Sequence, residues 1–115
     1  MNDFNEKPID TKVRETALRI MERAMFYNNT QTKQSITGGK PTFFVQFSGH
    51  IATMEVDIHR SGWGQPNDDP EYFTIPLTER GYNGTYDEIQ NELVSVLKRM
   101  EEVYTDWYEK EYTNE

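Results

Sequence analysis

The strongest constraint on this fold lies near the C-terminus. Thr85-Tyr86-Asp87-Glu88 matches a capping box, in which the threonine and glutamate side chains each satisfy an orphan backbone N–H of the other. Behind it, Ile89, Leu93, Val96, Leu97, Met100, Val103, Tyr104 and Trp107 recur at steps of three and four. That spacing makes one apolar stripe over about five helical turns. Glu92, Arg99, Glu102, Asp106 and Glu109 fall on the opposite side. The pattern predicts a helix over about 85–110. Such a stripe needs a surface to pack on, because packing rather than propensity holds most helices in water. In a chain of 115 residues, the length of one domain, that surface must come from the remaining segments.

Those segments read as a sheet and one more helix. From Ile51 to His59 the residues alternate. Ala52, Met54, Val56 and Ile58 point one way, and Thr53, Glu55, Asp57 and His59 the other. Thr42 to Ser48, with Phe43, Phe44, Val45 and Phe47, reads as a preceding strand, and Ser48-Gly49-His50 as the hairpin turn. Tyr72 to Leu77 places Phe73, Ile75 and Leu77 on one face, while Pro76, lacking an N–H, puts this strand at an edge or ends it there. A first helix is expected over about 10–27. Val13, Ala17, Ile20, Met21, Ala24 and Met25 form its stripe, and Asp10 or Thr11 caps it. The expected architecture is α+β: two layers, a three-stranded antiparallel sheet with two helices on one face, in the order α-β-β-β-α. One domain spans 1–115, with frayed tails at 1–8 and 111–115 and a flexible polar loop at 28–41.

This order is similar to that of double-stranded-RNA-binding domains. Those domains place lysines at the start of the last helix, where this chain has Tyr86-Asp87-Glu88. The similarity is therefore one of topology, not function.

Charge narrows the function classes. Lys plus Arg number 12 and Asp plus Glu 20, for a net charge of −8. Residues 1–40 carry 7 basic and 5 acidic residues, whereas residues 41–115 carry 5 and 15. A body of that sign repels phosphate backbones, so direct nucleic-acid binding is not expected. With no cysteine, disulfides, thiolate metal sites and thiol catalysis are excluded. This composition fits a reducing cytoplasm. No apolar run approaches the roughly 20 residues of a membrane span, and Met1 to Asp10 lacks a signal-peptide core. The Gly38-Gly39 pair lacks the Lys-Ser/Thr of a phosphate-binding loop. No cofactor is implied.

Several groups are chemically able to form a site. Glu55, Asp57 and His59 share one strand face, a spacing open to metal ligation, although an exposed antiparallel face is polar in the same way. His50, in the hairpin, reads as a solvated turn residue. Ser48 and Ser61 have no nucleophile elbow around them, so the chain is not expected to be an enzyme. The proline-bearing segment Trp63 to Tyr72 combines a Trp and a Tyr with Asp68, Asp69 and Glu71, residue types suited to a contact surface if the Trp faces solvent. The alternative is that Trp63 folds back onto the sheet edge and Asp68-Asp69 only make a turn. No EF-hand pattern is present there. The end of the last helix carries Glu102, Asp106 and Glu109, with Tyr108 and Tyr112 off the buried stripe.

These features point to partner binding through Trp63, Asp68, Asp69, Glu71, Glu102, Asp106, Tyr108 and Glu109. The expected partner is a protein with a basic surface, of the kind found on nucleic-acid-binding proteins and nucleases, whose phosphate contacts the carboxylates imitate. In size, charge and α+β make-up, though by no motif, the chain is similar to small acidic proteins of phages and mobile elements, including anti-CRISPR and anti-restriction proteins. The alternative is a homo-oligomeric structural or accessory protein that self-associates through a sheet edge or the aromatic loop.

Overall fold

The structure, a computed structural model, describes residues 9–28 and 40–113, with side chains through Lys110. The expected tail at 1–8 and most of the expected loop at 28–41 lie outside these residues. Helix α1 spans Thr11–Asn28. Strands β1 (Thr42–Ser48), β2 (Thr53–His59) and β3 (Glu71–Pro76) follow. A one-turn helix, α2 (Glu79–Tyr82), precedes the long helix α3 (Tyr86–Thr113). The sheet is antiparallel in the order β1-β2-β3. Helix α1 lies against β1 and α3 against β3, and the two helices pack on each other. The α+β architecture and its element order are thus those expected, with α2 added. Among the described residues, no helix is long and apolar enough to cross a membrane.

Helix α3 starts where its capping box dictates. Glu88 Oε1 accepts from the Thr85 backbone N–H at 3.1 Å, and Thr85 Oγ1 accepts from the Glu88 N–H at 3.2 Å. Helix α2 is capped likewise: Thr78 Oγ1 accepts from the Gly81 N–H at 3.1 Å. The chain leaves α2 through Asn83 in the left-handed conformation (φ 63°), which asparagine tolerates better than most residues. This device lies in the Tyr82-Asn83-Gly84 stretch, which reads from sequence only as a turn.

The core forms between the inner sheet face and the two helices. Met54, Val56, Ile58, Ile75 and Leu77 meet Val13, Ile20, Ile89, Leu93, Val96 and Met100, all buried. The stripe of α1 differs from expectation. Tyr27 is buried, whereas Met25 is 65% exposed and Met21 only half-buried. The buried run is Val13, Ala17, Ile20, Ala24, Tyr27, an unbroken 4-3-4-3 step. Met25 lies one residue, about 100° of helix, past Ala24. Tyr27 stacks on Tyr104 (centroids 4.3 Å apart, planes 20°) and touches Phe43 (5.2 Å).

The hairpin also differs. Its turn is Gly49–Ala52, not Ser48-Gly49-His50. The Ile51 N–H donates to the Ser48 carbonyl at 3.3 Å, and Ala52 takes φ 47°. Ile51 and Ala52 therefore leave the strand that their alternation suggests.

Candidate functional site

Helices α1 and α3 cover one face of the sheet, so among the described residues the other face is open. The register places Phe44, Asp57 and Tyr72 in one row across all three strands, with Gln46, Glu55 and Thr74 in the next. Strands lie about 4.8 Å apart, so two aromatic rings flank a carboxylate across the full width of the sheet. Phe44 and Tyr72 are 44% and 66% exposed, and Trp63 beside them is 61% exposed. Glu55 and Asp57 are half-buried, and among the described residues neither forms an ion pair.

His59 departs from the solvated-face expectation. It is buried, and its ring stands edge-on to both Phe44 (5.3 Å, 87°) and Tyr72 (6.4 Å, 90°). Its Nδ1 lies 2.7 Å from Asp68 Oδ2. A carboxylate only accepts, so Nδ1 carries the proton. The other oxygen of Asp68 accepts from the Ser61 N–H at 3.2 Å. One carboxylate thereby pins the loop back onto β2.

That loop is built for its path. Its backbone turns through Gly62 (φ 94°) and Gly64 (φ 83°), conformations that favour glycine. The N–H groups of Gly62, Gln65 and Asp68 each donate to the carbonyl three residues back, at His59, Gly62 and Gln65. Trp63 N–H donates to Thr42 Oγ1 at 3.2 Å, and its ring meets Phe44 edge-on at 6.4 Å. The backbone of Trp63 is anchored while its ring faces solvent.

The other sequence-derived candidates separate into distinct places. Asp69 is exposed in the same loop. Glu71 starts β3 and is engaged by Arg99 of α3 through Nε (2.9 and 3.1 Å) and Nη2 (2.7 Å). The Arg99 hydrogen bonds hold the Glu71 carboxyl below its ordinary range, and that carboxylate raises the guanidinium in turn. Glu102 is exposed one turn beyond Arg99. Asp106 pairs with Lys110 at 3.2 Å on the helix surface. Glu109 is exposed, and Tyr108, 48% exposed, stacks at 6.2 Å on Tyr104. These α3 residues belong to the helix layer and Trp63 to the open sheet face. Tyr112 lies beyond the described side chains.

The sequence alone singles out Tyr72 with the Trp63 loop and Asp57 with Glu55 and His59, but not Phe44, nor the row that the three form. The signal was present, because alternation puts each of them opposite the apolar set of its strand. Lys40, expected in a polar loop, is buried, with its ammonium 5.6 Å from the Trp107 ring centroid, and burial lowers its pKa. Among the described residues, no group of three or more His, Asp or Glu is arranged to hold a metal. Comparison with protein families, curated proteins and solved structures finds no match to this chain.

Proposed function

We propose that the protein is a small acidic binding protein, not an enzyme, that occupies a basic surface of a partner protein through its open sheet face. The observation that carries this reading is the row Phe44–Asp57–Tyr72, with Trp63 beside it. A carboxylate between aromatic rings suits a guanidinium or ammonium. The charge draws the cation in, and the ring faces attract it further. The same carboxylates repel phosphate, so nucleic acid is not the ligand. Where the basic surface of the partner is its own nucleic-acid groove, occupancy blocks that groove, as an inhibitor would. The acids of α3 then supply long-range steering rather than contacts.

The test is a titration of the full chain with arginine-rich, lysine-rich and neutral peptides of equal length, followed by NMR. Shifts centred on Phe44, Asp57, Trp63 and Tyr72 with the basic peptides alone are expected. Shifts confined to α3, or equal shifts with the neutral peptide, would overturn the reading.

A further inference from the structure

The two sheet edges are protected unequally. Strand β3 is blunted at its last residue by Pro76, which has no N–H to offer, and begins at the ion-paired Glu71. Strand β1, Thr-Phe-Phe-Val-Gln-Phe-Ser, has no charged residue and no proline, the devices that usually blunt an edge. Among the described residues, one device covers one end. The side-chain amide of Asn28 donates to the Phe43 carbonyl at 2.6 Å, and its oxygen accepts from the Phe43 N–H at 3.2 Å. Asn28 thus takes the place of a neighbouring strand at Phe43.

Outward-facing backbone groups alternate along a strand. Val45 and Phe47 share the parity of Phe43, so their N–H and C=O groups also point away from β2. Among the described residues, nothing bonds them there. Between α1 and this end of the sheet, Leu18 and Met21 line a pocket of about 320 Å³ with Phe47, Met54 and Leu77. Leu18 and Phe47 are among the exposed large apolar residues.

We propose that β1 pairs with β1 of a second copy of this chain. The occupant follows from the edge itself. With Phe43 covered, the positions left to bond are Val45 and Phe47. Antiparallel pairing of two identical edges satisfies both when Val45 faces Phe47 of the second copy, with the twofold axis at Gln46. Such a contact is isologous and closes on itself. Charge opposes pairing less at this edge than at β3. Helix α1, next to this edge, carries Lys12, Arg14, Arg19 and Arg23 against Glu15 and Glu22. Helix α3 carries Asp87, Glu88, Glu92, Glu101, Glu102, Asp106, Glu109 and Glu111 against Lys98, Arg99 and Lys110. Joining at β1 keeps the two acidic helices on the outer sides of a six-stranded sheet. This proposal is independent of the ligand of the open face.

Two measurements on the full chain decide it. Light scattering across micromolar to submillimolar concentration is expected to give twice the 13.6 kDa of one chain. The native chain has no cysteine, so a single introduced thiol reports cleanly. Gln46→Cys sits on the twofold axis in a closely spaced pair and should cross-link on oxidation, whereas Thr74→Cys on the other edge should not. Phe47→Lys should give the mass of one chain with an unchanged circular dichroism spectrum, and Phe47→Leu should retain the double mass. A single-chain mass throughout for the native protein overturns the proposal. So does a double mass in which Thr74→Cys, and not Gln46→Cys, cross-links.

Discussion

His59 and Asp68 meet at 2.7 Å across nine residues of chain, and this contact joins the one buried histidine to the loop that presents Trp63. The second bond of Asp68, to the Ser61 N–H, closes the loop at its start. Asp68→Ala leaves both donors without their acceptor, a loss of roughly 1–3 kcal/mol where such groups stay buried. The expected result is a lower melting temperature together with faster amide exchange at Ser61. Asp68→Asn, which retains an acceptor oxygen, should recover part of both. Unchanged exchange in the alanine variant would show that the turn hydrogen bonds hold the loop by themselves.

The Glu71–Arg99 pair makes stability depend on pH in a definite direction. The folded-state pKa of Glu71 is depressed below its ordinary 4.5, chiefly by the hydrogen bonds from Arg99. A depressed carboxyl stabilises the fold fully above its unfolded pKa and loses that contribution as pH falls through the folded one. Stability should therefore drop below about pH 4.5, and Glu71→Gln should flatten that part of the profile. A double-mutant cycle with Arg99→Met should give a coupling of roughly 1 kcal/mol, since the pair is partly solvated but bidentate. A Glu71→Gln profile identical to the native one below pH 4.5 would count against the pair.

Two residues two positions apart on α1 should behave oppositely. Tyr27 is buried against Tyr104 and Phe43, and its hydroxyl accepts from Arg23 at 3.2 Å. Tyr27→Ala opens a cavity there and should cost about 3 kcal/mol or more. Met25→Ala, at an exposed site, should change stability by no more than about 0.5 kcal/mol. Chemical denaturation of both variants measures the contrast, and equal effects would show that α1 is rotated relative to the sheet.

This pair of residues also shows what periodicity can and cannot convey. The capping box at Thr85 and the alternation from Thr53 to His59 are local signals, and both elements form where those signals lie. The choice between Met25 and Tyr27 is not local. Both fit a broad stripe, and the neighbour that selects Tyr27 is Tyr104, far along the chain on α3. The site follows the same logic. A loop rich in glycine and proline left Trp63 able to face solvent or to fold back onto the sheet edge, and the structure shows it exposed. Asp68 and Glu71 looked free because their partners, His59 and Arg99, sit on other elements. Phe44 looked like an ordinary strand residue, and Tyr72 like the end of the Trp63 loop, until the register set them on either side of Asp57.

Binding should follow the row rather than the total charge. Trp63→Ala should weaken a basic partner by roughly 2 kcal/mol, the size of a hot-spot aromatic, and Tyr72→Ala should act in the same direction. Asp57→Lys places a cation between the two rings and should abolish binding without unfolding the chain, since its side chain points to the open face. Reversing Glu102, Asp106 and Glu109 together changes more charge but touches no part of the row. That variant should slow association and reduce its salt dependence while leaving dissociation nearly unchanged, because exposed charges act at range and are screened beyond about 8 Å at physiological salt. Stopped-flow association and surface-based dissociation rates separate the two effects. If the helix reversal accelerates dissociation and Asp57→Lys does not, the contact surface lies on α3 and the open face of the sheet is only its scaffold.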